Sequence, residues 1–75
     1  MAYIPKLTPV EFVIYKFGGV EETAKALKIS PGAVSHWRKR NGGRIPSKQQ
    51  SIILKAAYHA NITITPANLI IGGRI

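Results

Sequence analysis

Residues 20–39 read VEETAKALKISPGAVSHWRK, and their pattern sets the fold class. Val20, Ala24 and Leu27 recur at helical spacing and mark the inner face of one short helix. Glu21 and Glu22 fall in its first turn, where the positive end of the helix dipole favours acids. Lys28 and Ile29 make a tight connection. Ser30 and Pro31 then supply a cap and a proline suited to the first helical position. Val34 and Trp37, three apart, face inward from a second helix. Ala24 sits where the two helices approach most closely, so only a small side chain fits. Ile29 fills the space under the turn, and Val34 and Trp37 plug the junction. Two short helices joined by about three residues make a helix-turn-helix.

Upstream, Thr8-Pro9-Val10-Glu11 is a strong helix start. Thr8 caps the orphan N–H groups, Pro9 takes the first position and Glu11 completes a capping box. Val10, Val13, Ile14 and Phe17 follow as one apolar stripe, and Gly18 and Gly19 stop the helix. Residues 1–7 read as a short arm. Downstream, Asn41-Gly42-Gly43 ends the third helix and Arg44-Ile45-Pro46 is a loop. Residues 47–50 (SKQQ) read as a further capping box, with Gln50 in the glutamate role. The fourth helix buries Ile53, Ala56, Ala57 and Ala60 or their close neighbours, and Asn61 stops it. The tail is ambiguous. Residues 62–65 (ITIT) have strand composition. Thr65 and Pro66 suit a helix start, because proline disrupts a central strand. Gly72 and Gly73 would end that helix. The expectation is an all-α domain of five helices at about 9–17, 20–27, 31–40, 47–60 and 66–70.

The composition narrows the function. The chain has 75 residues, enough for a single small domain. Such a chain buries only about 60% of the surface its unfolded form exposes. Eleven Lys and Arg stand against three Glu and no Asp, for a net charge of +8, and every acid lies before residue 23. So one-sided a charge costs self-repulsion and points to a polyanionic partner, most often nucleic acid. Cysteine is absent, which excludes disulfides, Cys-ligated zinc and thiol chemistry and fits a reducing compartment. The opening stretch is interrupted by Pro, Glu and Lys, so no secretory signal is expected. No apolar run approaches the roughly eighteen residues of a membrane span.

With those residues in place, the segment resembles the helix-turn-helix of phage repressors of the Cro and cI type. The family pattern of small residue, turn, β-branched plug and bulky apolar residue appears here as Ala24, Ile29, Val34 and Trp37. Residues 33–38 (AVSHWR), followed by residues 43–46 (GRIP), are similar to small Cro-like regulators. A fourth helix and a Thr65-Pro66 pair follow, as in that group. Lys28 departs from the pattern, since members usually carry Gly where the turn needs a left-handed backbone. The resemblance implies a lambda-repressor-like DNA-binding domain whose third helix enters the major groove of an operator. Carried over by position, the base-reading residues are Gly32, Ser35, His36 and Lys39, with Pro31 at the tip. Phosphate contacts fall to Lys25, Lys28, Ser30, Arg38, Arg40, Arg44, Lys48 and Gln49, with Arg38 also within reach of a base edge. The N-termini at Gly19-Val20 and Ser47-Lys48 each suit a phosphate. The implied partner is double-stranded operator DNA, bound as a weak homodimer. No cofactor, metal, small-molecule ligand or membrane is expected. The implied setting is a bacterial host's cytoplasm or nucleoid, with the gene carried by a phage or prophage.

Rival readings stay beside this one. The same module serves antitoxins and accessory DNA-binding factors. Trp37 can stack on single-stranded nucleic acid, but its spacing from Val34 favours the core. His36 and His59 are far apart with no Cys or Asp to complete a metal site. An enzyme needs convergent acid–base pairs; Glu11 is spent on a cap, and Glu21 and Glu22 are adjacent and cannot face each other. A membrane-surface role conflicts with a globular core. Leu69, Ile70, Ile71 and Ile75 suggest an apolar patch near the end for dimerisation.

Overall fold

The computed structural model describes residues 6–39 and 41–74. Five helices carry the fold: α1 (Pro9–Phe17), α2 (Val20–Leu27), α3 (Pro31–Lys39), α4 (Ser47–His59) and α5 (Pro66–Ile71). A short 3₁₀ turn, Asn41–Gly43, precedes the loop into α4. The expected helices are all present, and their bounds move by a residue at most; Arg40 lies outside the described residues.

Local chemistry explains most of the helix starts. At α1 the Thr8 Oγ1 accepts from the Glu11 N–H at 3.3 Å, and Glu11 Oε1 accepts from the Thr8 N–H at 3.3 Å. This reciprocal pair satisfies two backbone donors that the helix itself leaves open. Thr65 and Asn68 repeat it at α5, with Asn68 in the glutamate role. Ser30 Oγ accepts from the Ala33 N–H at 3.2 Å and starts α3. The box expected at Ser47 does not form. Pro46 occupies the cap position with extended backbone, and its carbonyl takes the Gln49 N–H at 2.9 Å. Ser47 therefore stands inside the first turn, too late to cap it.

The stops are left-handed residues. Gly18 ends α1 with φ 100, Lys28 ends α2 with φ 58, and Asn61 ends α4 with φ 57. At Lys28 the closure is a Schellman motif: the Ile29 N–H donates to Ala24 O at 3.0 Å and the Lys28 N–H to Lys25 O at 3.3 Å. Lysine is a costly residue for that conformation, as its Cβ crowds the carbonyl. Lys28→Gly is therefore expected to stabilise the fold by about 1 kcal/mol, raising the melting temperature by roughly 4–8 °C. A thermal melt that moves downward would contradict this.

The core gathers Val10, Val13, Leu27, Ile45, Ile53 and Leu69, with Ile29 and Trp37 packed partly against it. Ala24 and Val34 are also buried, as the close α2–α3 approach requires. Four features depart from the sequence reading. Ala60 is exposed, because α4 ends one residue before it. Leu69 is buried and so leaves the tail's apolar patch, whereas Ile70 and Ile71 remain exposed; Ile75 lies outside the described residues. Thr23 is buried, its hydroxyl donating to the Gly19 carbonyl at 2.7 Å. Phe12 is buried too, although it lies off the expected stripe of α1.

The tail explains Phe12. Residues 62–65 form no strand; the pairing lies elsewhere. Strand β1 (Lys6–Leu7) runs antiparallel to β2 (Gly73–Arg74), Leu7 opposite Gly73. This clasp brings the two ends of the described chain together over α1, and Gly73 packs directly on the Phe12 ring. Gly72 makes the approach possible. Its backbone, φ 75 and ψ −154, is a glycine conformation, and a Cβ there would overlap the Leu7 carbonyl oxygen. No helix among the described residues is long and apolar enough to cross a membrane.

Candidate nucleic-acid interface

Helix α3 is held by one face and bare on the other. Val34 is fully buried and Trp37 is half-buried against Val10, Val13 and Ile53. Opposite them, Gly32, His36 and Lys39 are exposed at i, i+4 and i+7, and Ser35 is half-buried at the edge of the stripe. The four residues expected to read bases thus share one side of one helix, with Ser35 the least accessible. Pro31 is exposed at the tip.

Gly32 has no structural reason to be glycine. Its backbone is ordinary helix, and a Cβ there would meet only Ser30 Oγ, at 3.9 Å. As the second residue of α3, Gly32 also makes no packing contact that alanine would lack. What glycine provides here is a smooth outer surface on which another molecule's groups can come close to the backbone.

Exposed cations lie on α3 itself and on the elements before and after it in the chain. Lys25 and Lys28 are exposed on and after α2, Arg38 on α3, and Arg44 and Lys48 on the loop and α4. Arg44 lines an open hollow of about 700 Å³ with Gly42, Ile45, Pro46 and Ser47. No side chain caps α4, so its first backbone N–H groups have no side-chain acceptor, and the Gln49 N–H is taken by the Pro46 carbonyl. The N-terminus of α2 also lacks a side-chain cap, but the exposed Glu21 and Glu22 in its first turn oppose an anion there. Ser30 Oγ is engaged as an acceptor in its cap, which leaves only the hydroxyl hydrogen to donate. Gln49 is half-buried, with its Oε1 enclosed and without a partner. Arg40 lies outside the described residues. Among the described residues, no three His, Asp or Glu side chains gather to hold a metal.

A family model described as DNA-binding transcriptional regulator Cro matches residues 10–57. The chain belongs to this Cro family. The match runs from α1 through most of α4, so it contains the whole of α2, the turn and α3. This Cro-family chain is therefore a DNA-binding transcriptional regulator, and its family is not an enzyme class. No curated protein and no solved structure matches it. Helix α5 and the β1–β2 clasp fall outside the matched segment.

Sequence reading passed over one surface of this regulator. Lys55 and His59 of α4 line a groove with Ala26, Leu27 and Lys28 of α2. The signal was available as helical spacing from Lys48, but it means nothing until α4 is laid beside α2.

Proposed function

We propose that this Cro-family regulator is a sequence-specific repressor. Helix α3 enters the major groove of a pseudo-palindromic operator and excludes polymerase by occupying it. The observation that supports this best is the outer stripe of α3: Gly32, His36 and Lys39 exposed together, with a glycine that the fold does not need. Close backbone approach at Gly32 would bring Ser35, His36 and Lys39 to base edges. A lysine or a protonated histidine suits guanine O6 and N7, and serine suits any base. Lys25, Lys28, Ser30, Arg38, Arg40, Arg44, Lys48 and Gln49 take phosphates and set the register. The uncapped start of α4 adds backbone N–H groups to Arg44 and Lys48.

The functional unit in this reading is a homodimer, with the exposed Ile70 and Ile71 as its apolar seam. Two copies of α3 then stand about 34 Å apart, one helical turn of DNA. The regulator acts in the cytoplasm or nucleoid of a bacterial host, its gene carried by a phage or prophage, and its concentration sets the switch.

Selection of binding sites from a random duplex pool, at physiological salt, tests this. The expected product is an inverted repeat with half-site centres about 10 base pairs apart. Recovery of no motif would rule out the sequence-specific reading. Once the repeat is known, Lys39→Ala is expected to cost about 1–3 kcal/mol and relax specificity at a single half-site position.

A further inference from the structure

Lys48, Ile52, Lys55 and His59 recur at i, i+4, i+7 and i+11 along α4, and all four are exposed. Ile52, Lys55, Ala56 and His59 face Ala26, Leu27 and Lys28 of α2 across an open groove of about 430 Å³. Its floor is apolar and its rim carries cations, with no acid in either stretch. Ile52 is 44% exposed on that floor. DNA phosphates would satisfy the lysines and leave Ile52 in water. A surface that offers an apolar side chain beside a carboxylate satisfies both.

The chain itself carries such a surface. Of its three acids, Glu11 is tied into the Thr8 cap. Glu21 and Glu22 are exposed, and Lys25, one turn on from Glu21, screens that residue most. Glu22 lies beside the end of α1: a Cβ on Gly18 would stand 3.9 Å from Glu22 Cγ. Tyr15 lies one turn before Gly18 on α1 and is 54% exposed. Tyr15, one turn before Gly18, and Glu22, against Gly18, thus offer an exposed aromatic and an exposed acid near the end of α1, and their chemistry complements the groove.

We infer that the corner of Tyr15 and Glu22 on one copy seats in the α2–α4 groove of a second copy, with Tyr15 on Ile52 and the Glu22 carboxylate on the Lys55 ammonium. His59 adds a donor at the rim. In an array along DNA the corner of each copy meets the groove of the next, head to tail. A net charge of +8 opposes it in free solution. On DNA the phosphates offset that charge and hold neighbours at high local concentration. The contact therefore shows as cooperative filling of a long duplex. It needs DNA binding, but not the two-fold operator of the repressor reading.

Glu22→Lys and Lys55→Glu test it, both at exposed positions; Glu22→Lys also gives up a favourable first-turn charge on α2, a loss of stability that binding to the short duplex separates from the contact. Binding is followed by fluorescence anisotropy on a short duplex with room for one copy and on a long duplex of unrelated sequence. The wild-type chain is expected to fill the long duplex cooperatively. Each variant alone is expected to lose cooperativity by about two- to fivefold. An equimolar mixture regains it when the two variants alternate along the duplex. Every contact then pairs opposite charges again: the two substituted positions meet at one junction, and the unaltered Glu22 and Lys55 meet at the next. A non-cooperative wild type, a variant that keeps cooperativity alone, or a mixture that fails to regain it overturns the inference. Failure to bind even the short duplex would instead strike at DNA binding, and the two failures are told apart by that duplex.

Discussion

Gly72→Ala is expected to lose about 3–4 kcal/mol of stability and roughly 15–25 °C of melting temperature. Two costs combine. The φ 75, ψ −154 conformation belongs to glycine, and any Cβ there overlaps the Leu7 carbonyl oxygen. Neither partner can yield cheaply. Leu7 is paired in β1, and Thr8, the next residue, is the cap of α1. Moving the backbone away from Gly72 pulls Gly73 off the Phe12 ring and opens the core from its end. A chain of this size has only about 4–11 kcal/mol to lose. Gly42→Ala is the control. Gly42 is also left-handed, φ 63, but a Cβ there meets nothing within 4 Å. It is expected to cost only about 1 kcal/mol. Urea titration of both variants checks the comparison; equal losses would mean that left-handed strain acts alone and the clasp contributes nothing.

The second large effect is electrostatic. If about four to six phosphates are neutralised, log K is expected to fall with log salt at a slope near −4 to −5. Raising salt from about 50 to 200 mM then weakens binding by roughly 300- to 1,000-fold. The basis is the exposed cations on α3 and on the elements before and after it, and the absence of any acid after Glu22. Anisotropy titrations across salt measure the slope directly, and an affinity indifferent to salt would remove phosphate contacts from the proposed function. Lys28→Gly sharpens the test. It is expected to flatten the slope by about 0.9 while making the protein more stable. Loss of affinity in that variant therefore cannot be ascribed to unfolding.

Much of the fold was legible because its signals are local. Thr8 with Glu11, Ser30 with Pro31, and Thr65 with Pro66 mark helix starts within a few residues of themselves. Ala24, Val34 and Trp37 mark the α2–α3 contact because the helical period places them together. The strain at Lys28 was readable from the resemblance, because members of the family usually carry Gly at that turn position. The outer stripe of α3 followed from the same period: once Val34 and Trp37 point inward, Gly32, His36 and Lys39 point out.

The misses share a different cause. Ser47 looked like a cap because its neighbours fit the pattern, but Pro46 starts the helix one residue sooner. Phe12 lies off the apolar stripe of α1; Lys16, one turn on, covers its ring at 5.5 Å, and β2, some sixty residues away, packs on it as well. Leu69 was indistinguishable from Ile70 and Ile71 until α5 was packed, when one of the three turned inward. The groove beside Lys55 exists only because α2 and α4 lie together. Helices, most of their caps and the outward face of α3 are written in the residues themselves, because hydrogen bonding and periodicity act over one or two turns. How the chain ends close over Phe12, which tail isoleucines stay in water and what surface meets a neighbour are settled by packing alone, because burial depends on partners that sequence separation does not reveal.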